Sequence, residues 1–79
     1  TNKRTEEKVC RVLGEAIAER RRTVGLSQEK LAFEVGMDLT SINEIEKGHR
    51  SPRFTTVYKI AKALKVKTTY LVNKVDAEV

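Results

Sequence analysis

The sequence predicts an all-α fold, a compact domain of five helices. Apolar residues recur three and four positions apart along most of the chain, which is the period of an amphipathic helix. Hydroxyl or carboxylate residues precede several of these stretches and glycines follow them, as is typical of helix ends. One proline and four glycines supply too few turns for a many-stranded β fold.

The first helix is expected to begin at Thr5, because a hydroxyl cap followed by two glutamates suits the positive end of a helix dipole. The four residues before it are polar, and we expect them to be frayed. Apolar residues then follow at helical spacing as far as Val24, and Gly25 ends the helix.

Two short helices come next. Ser27 is placed to cap the second helix, which Gly36 ends. Asp38 is placed to cap the third, which runs to about Lys47 and is closed by Gly48.

Two further helices complete the prediction. Pro52 suits the start of the fourth helix because it has no backbone N–H to leave unpaired. The apolar stripe of this helix includes Ile60 and Leu64. A short fifth helix carries Leu71, and its cap is expected near Lys67 or Thr68.

Length and composition restrict the function. A chain of 79 residues forms one domain with a thin core. One Cys and one His cannot supply the four ligands of an ordinary zinc site, so we expect no metal and no cofactor. The longest apolar run is three residues, which excludes a transmembrane helix and a signal peptide and predicts no membrane partner.

The charge is positive and unevenly distributed. Sixteen basic residues against eleven acidic ones give a net charge of +5. From Lys47 to Lys74 there are eight basic side chains and no acidic one, whereas the first half is nearly balanced. Such a one-sided field is typical of proteins that bind nucleic acid. The alternative is a solvated surface that keeps the protein in solution.

The second and third helices have the spacing of a helix-turn-helix. Two helices that cross steeply need a small residue at the crossing, which Ala32 supplies. The turn needs a residue without a Cβ, which is Gly36, followed by an apolar plug, which is Met37. Ile42 and Ile45 then face the core from the third helix. In this motif the second of the two helices enters the DNA major groove.

Residues 13 to 72 resemble the Cro/CI-type helix-turn-helix proteins, the XRE family of phage repressors and small bacterial regulators. The matching stretches occur in the order of the family: Gly25-Leu26-Ser27-Gln28-Glu29, Leu31-Ala32, Val35-Gly36, Ile42, Ile45-Glu46-Lys47-Gly48, Ser51-Pro52 and Lys59-Ile60-Ala61-Lys62-Ala63-Leu64. The resemblance implies a lambda-repressor-like DNA-binding domain over 13–72. An N-terminal extension (1–12), which includes the start of helix one, would precede it, and a C-terminal tail (73–79) would follow. The short layout is also similar to that of restriction–modification controller proteins.

The resemblance implies roles for side chains on and around the third helix. Those that would read base edges are Leu39, Thr40, Asn43 and Glu44. Those that would bind DNA phosphates are Gln28, Lys47, His49, Arg50, Ser51 and Arg53. Arg21 and Glu46 would form the buried ion pair of the family.

Several of these roles have alternatives. Leu39 lies off the apolar face of its helix and suits a thymine methyl group, although it could instead belong to the core. Asn43 is the residue type that pairs with adenine. Glu44 could accept a hydrogen bond from cytosine or be a solvated charge that repels wrong sites. Thr40 could contact either a base or a phosphate.

The leading hypothesis is a sequence-specific transcriptional regulator that binds a near-palindromic operator as a homodimer, because one reading helix covers too few base pairs. The twofold interface is expected on helix five, from apolar residues left after the core is filled: Tyr70, Val72 and Val75, with Val79 as a further candidate. Phe54 could approach them from the start of helix four, and Tyr70 could instead belong to the core. Double-stranded DNA is the expected partner, and RNA polymerase is a further candidate. We expect a cytoplasmic, bacterial or phage-encoded protein associated with the nucleoid.

Two other classes of function compete with this hypothesis. The same fold could serve as a protein-interaction module, as a coactivator or an antitoxin. An enzyme is disfavoured, because the sequence shows no nucleophile–base set and no phosphate-binding loop of the G-x-x-x-x-G-K type.

Overall fold

A computed structural model describes residues 2–79 as five α-helices. They are α1 (Lys3–Thr23), α2 (Gln28–Val35), α3 (Leu39–Glu46), α4 (Phe54–Ala63) and α5 (Thr68–Glu78). The described part of the chain contains no strand. The all-α, five-helix prediction is therefore confirmed. Thr1, the first residue of the expected N-terminal extension, lies outside the described residues.

The two ends of the chain differ from the prediction. Asn2, not Thr5, caps α1: its side-chain oxygen accepts a hydrogen bond of 2.8 Å from the Thr5 backbone N–H. The residues from Lys3 onward are thus helical and not frayed, because asparagine is itself a strong N-cap. At the other end α5 continues to Glu78, since no glycine or proline interrupts the segment expected to be a tail.

The helix-turn-helix has the predicted local signals. The Ser27 hydroxyl accepts from the Lys30 N–H at 3.0 Å, and an Asp38 carboxylate oxygen accepts from the Ser41 N–H at 2.7 Å. Gly36 adopts a left-handed conformation with φ of +73°, which a side chain would disfavour. These caps fix where α2 ends and where α3 begins.

The core lies where the helices meet. Its fully buried large side chains are Ile17, Leu31, Ile42, Ile45, Ile60, Leu64 and Leu71. Every helix contributes to this set. Ile42 and Ile45 anchor α3 in the core and leave its opposite side outside.

The helix α1 passes directly over the C-terminal end of α3. A Cβ placed on the buried Gly14 would lie 2.6 Å from the carbonyl oxygen of Glu46 and closer still to that of Ile45. A Cβ on Gly48 would lie 2.8 Å from the Arg11 Cα atom. Real Cβ atoms do not approach backbone this closely. Two glycines therefore allow the backbone contact that sets the position of α3 against α1.

Candidate nucleic-acid interface

The predicted base-reading residues share the outward side of α3. The buried residues of α3 are Ser41, Ile42, Ile45 and Glu46, and the other positions of the helix lie on the opposite side. The exposed or half-buried residues of this outward stripe are Leu39, Thr40, Asn43, Glu44 and Lys47. Leu39 is 48% exposed and is not part of the core, which removes the alternative interpretation of this residue.

A buried ion pair lies behind the stripe. Arg21 on α1 donates from Nε to Glu46 Oε2 at 2.7 Å and from Nη2 to Glu46 Oε1 at 3.1 Å. The side chains of Arg21 and Glu46 are only 12% and 5% exposed. A third bond, from Arg21 Nη1 to the Leu26 carbonyl oxygen at 2.8 Å, completes the guanidinium contacts. The pair joins α1 to the C-terminal end of α3.

Gln28, the first residue of α2, connects this pair to the outward stripe. Its Nε2 donates to Glu46 Oε1 at 2.8 Å, and its Oε1 accepts from Asn43 Nδ2 at 3.3 Å. Both ends of the Gln28 amide are therefore occupied inside the protein. Nε2 carries a second N–H that neither bond uses, so the phosphate contact that the resemblance implied for Gln28 stays a prediction.

Arg50 folds back from the loop onto the start of α3. Its Nη1 donates to Ser41 Oγ at 2.6 Å and lies 3.7 Å from Glu44 Oε1. Arg50 and Glu44 are both about half exposed. Glu44 is thus a half-exposed charge beside Arg50, and both interpretations of this residue stay predictions.

The cap of α3 also has an electrostatic consequence. The hydrogen bond from the Ser41 backbone N–H lowers the pKa of Asp38 below its ordinary value of 3.8, helped by the Ser41 hydroxyl and the nearby Arg50 charge. Because the pKa is lowered, the ionised Asp38 side chain stabilises the fold at pH values above its ordinary pKa. This contribution is lost as the pH falls through the lowered value.

Four predicted phosphate contacts remain open to a partner. The exposed side chains are Lys47, His49, Ser51 and Arg53. Within residues 2–79 none of them is held by an ion pair or by a side-chain hydrogen bond. Lys47 ends α3 and Arg53 precedes α4, so these groups flank the outward stripe.

The residues predicted for a dimer interface lie on α4 and α5 with different exposure. Phe54 is 69% exposed and Val72 is 40% exposed. Val75 is half-buried. Tyr70 is also half-buried and packs against the core, so it is partly used within the chain. Tyr58 on α4 is another exposed aromatic side chain. It was not among the residues predicted for the interface.

None of the helices in residues 2–79 is long and apolar enough to cross a bilayer.

Comparison with known proteins identifies the class. Residues 17–71 match the helix-turn-helix family HTH_3. An uncharacterized HTH-type transcriptional regulator of Sinorhizobium fredii, y4dJ, is 33% identical over 66 residues, which are 84% of this chain and 86% of that protein. The control protein C.BamHI of Bacillus amyloliquefaciens is 49% identical over 41 residues, or 52% of this chain and 51% of its own.

A solved structure agrees with these matches. The restriction–modification controller protein C.AhdI from Aeromonas hydrophila is 34% identical with a TM-score of 0.76, over 78% of this chain and 94% of that one. The chain belongs to the HTH_3 helix-turn-helix family, and the predicted resemblance to XRE-type regulators is confirmed. It is a transcriptional regulator, as the names of its relatives describe them, and not an enzyme.

Proposed function

We propose that this protein binds double-stranded DNA as a homodimer and recognises a near-palindromic operator in the cytoplasm. The observation that supports this most is the outward stripe of α3: polar, partly exposed and flanked by cations that have no partner in the described structure. A helix of this kind fits the major groove, with its first turns toward the base edges. The basic side chains beside it fit the phosphates.

Asn43 is proposed to read adenine, and the hydrogen bonds behind it support this. The Glu46 carboxylate accepts only, so Gln28 must turn its N–H groups toward Glu46 and its oxygen toward Asn43. Asn43 must then give one N–H to Gln28. Its oxygen and its second N–H remain for a partner, and these are the groups that pair with adenine N6 and N7.

The other outward residues are assigned by their chemistry. Leu39 suits a thymine methyl group at the exposed start of α3. Glu44 can accept from cytosine N4 when Arg50 moves to a phosphate. Thr40 is proposed to contact a base or a phosphate beside them. Lys47, His49, Ser51 and Arg53 are proposed as the positioning contacts to the backbone.

A homodimer is proposed because a single α3 covers only a few base pairs. Two copies place two reading helices about 34 Å apart on one side of the duplex, which doubles the readout. The exposed apolar side chains Phe54 and Val72 are proposed to form this contact, with the half-buried Val75 and Tyr70 beside them. The similarity to the controller protein C.AhdI and the control protein C.BamHI supports a regulatory role, with RNA polymerase as a further candidate partner.

The direct test is selection of bound duplexes from a random pool, followed by binding measurements on the enriched sequence. A twofold-symmetric site is expected. Asn43→Ala should weaken binding to that site by about 1–3 kcal/mol and relax the preference at one base pair in each half-site.

Arg53→Ala is the contrasting variant. It should weaken binding to all duplexes to a similar extent, because a phosphate contact carries no sequence information. If the pool yields no enriched sequence and the protein instead captures another protein, the interaction-module alternative replaces this proposal.

A further inference from the structure

An open groove of about 620 Å³ lies between the N-terminal half of α1 and the loop that follows α3. It is lined by Arg4, Glu7, Lys8, Arg11, Lys47, Gly48 and His49. The backbone of the loop meets α1 at one place, where Gly48 approaches Arg11. We call this feature the α1 groove.

The α1 groove is strongly basic, because its positively charged side chains outnumber its negatively charged ones. Four of its side chains are Lys or Arg, a fifth is His49, and the one carboxylate is Glu7. No side chain of the groove forms an ion pair within residues 2–79, where the two ion pairs involve Arg21 and Arg50. Four cations against one carboxylate leave a net positive charge in the groove, and a concave cluster of this kind attracts an anionic partner.

The three cations from α1 form one line. Arg4, Lys8 and Arg11 are four and three residues apart, so they share one face of the helix. Seven residues of helix span about 10.5 Å at 1.5 Å per residue. A DNA strand carries a phosphate about every 3.4 Å along the duplex axis. Three cations spread over this length can contact two or three successive phosphates of one strand.

The α1 groove is also continuous with the reading face. Lys47 lines the groove, and it lies one helical turn after Asn43 on the outward stripe of α3. His49 lines it as well, from the loop proposed to contact the backbone. The basic surface therefore runs from the C-terminal end of α3 onto α1 without a break.

We infer that the α1 groove binds two or three successive phosphates of the operator duplex beyond the C-terminal end of α3. This inference rests on the proposed DNA-binding function and extends its surface to α1, in a part of the sequence where the charges nearly balance. The contacts carry no base identity. They increase the affinity and fix how far α3 can slide or rotate in the major groove.

The test compares two triple variants with equal loss of charge. The groove variant is Arg4→Gln, Lys8→Gln and Arg11→Gln, which keeps helix-forming residues on α1. The control variant is Lys59→Gln, Lys62→Gln and Lys67→Gln, which removes three exposed lysines outside the groove. Both are checked for retained helix content and melting temperature, and both are titrated with salt on the selected duplex.

The groove variant should reduce the magnitude of the slope of log K against log salt by about 0.9 for each phosphate that it no longer neutralises. The control variant should change the slope much less. Glu7→Gln, which removes the one carboxylate of the groove, should raise the affinity. Equal effects of the two triple variants, or no effect of either, would overturn the inference.

A second measurement locates the phosphates. The selected duplex is made with a neutral methylphosphonate at one phosphate at a time. For the wild-type protein, two or three successive positions in each half-site should weaken binding, and the groove variant should be insensitive at those same positions. If every methylphosphonate that weakens binding of the wild-type protein also weakens binding of the groove variant, the inference about the α1 groove is wrong and the proposal of DNA binding is unaffected. If the wild-type protein binds no duplex, both the inference and the proposed DNA-binding function are wrong.

Discussion

Glu46 accepts hydrogen bonds from three nitrogen atoms on two other helices: Nε and Nη2 of Arg21 and Nε2 of Gln28. Its side chain is 5% exposed, so these bonds are what keeps a charged group stable inside the protein. Removing one partner of such a pair leaves a buried charge unpaired and costs about 3–5 kcal/mol. A domain of this size has few kcal/mol to lose. The same residue therefore supports both the fold and the side chain proposed to read adenine.

Gln28 provides a residue-scale prediction that separates two roles. In Gln28→Leu, the side chain keeps its approximate size but loses the bonds to Glu46 and Asn43. If Gln28 orients Asn43, this variant should lose preference at the base pair that Asn43 reads, by roughly 1 kcal/mol. The dependence on salt should be unchanged. Competition between the selected duplex and one altered at that base pair measures the effect.

A double-mutant cycle is the control for this prediction. Gln28→Leu should have little further effect on base preference once Asn43→Ala is present, because the two act as a unit. The opposite result is equally clear. A uniform loss of affinity for every sequence, with a smaller salt slope, would assign Gln28 to a phosphate as the resemblance implied.

Some residue positions could be predicted from the sequence and others could not. Helical periodicity places Leu39 and Asn43 opposite Ile42 and Ile45, because the period of a helix fixes which positions share a face. The bond between Gln28 and Asn43 joins two helices, and its existence depends on the angle at which they cross. No spacing along the chain encodes that angle. The contact of Arg50 with α3 could not be predicted for the same reason.

At the scale of helices, the ends show which sequence signals are reliable. Ser27 and Asp38 are predictable as caps because each comes two residues after a glycine and just before an apolar pattern. At the start of α1, Thr5 was predicted as the cap, whereas Asn2 is the cap in the structure. The earlier one is used because the residues between them are good helix formers, so the longer helix adds backbone hydrogen bonds.

The contact between α1 and α3 depends on Gly14, and this gives an element-scale prediction. In an exposed helix, Gly→Ala stabilises by about 1 kcal/mol. Here the added methyl group would press against the carbonyl oxygens at the end of α3, which are backbone atoms and cannot easily move. Gly14→Ala should therefore destabilise the domain by about 1–3 kcal/mol. Urea unfolding measures this change.

Glu15→Ala is the neighbouring control, since Glu15 is exposed on the same turn of α1. It should change the stability much less. A Gly14→Ala variant more stable than the wild type would mean that α1 and α3 are not in contact as described. The backbone contact of Gly14 could not be predicted from the sequence, because a glycine in a helical pattern looks the same whether it faces water or another backbone.

At the scale of the whole molecule, the uneven positive charge of the sequence predicted nucleic acid as the class of partner. It did not predict which surface of the folded protein carries the basic side chains. The excess of basic residues lies after Lys47, and the first half of the chain is nearly balanced. Folding nevertheless brings Arg4, Lys8 and Arg11 beside Lys47 in the α1 groove. A linear count averages these cations with the acidic residues elsewhere in the first half of the chain. The packing of α1 on α3 is what brings them beside Lys47.

The proposed homodimer yields the last prediction, and the structure decides which residue tests it best. Tyr70 packs against the core, so replacing it would confuse loss of the dimer with loss of the fold. Val72 is 40% exposed on α5 and can be changed with little effect on the core. Val72→Asp would place a charge in an apolar contact, which is costly unless the contact opens. Sedimentation should show a shift toward monomer and weaker binding to the selected duplex, with each half-site still bound at high protein concentration.

Phe33→Asp is the matched control for Val72→Asp, because it also replaces an exposed apolar side chain by Asp. Phe33 lies on α2, is 80% exposed and is outside the predicted interface. It should leave the protein as a dimer, because it adds the same charge away from α5. If Phe33→Asp dissociates the protein and Val72→Asp does not, the twofold contact is on α2. That arrangement would give a different distance between the two copies of α3 and hence a different half-site spacing, because the dimer geometry sets this spacing. The spacing in the selected duplexes is thus an independent measurement of which surface forms the dimer.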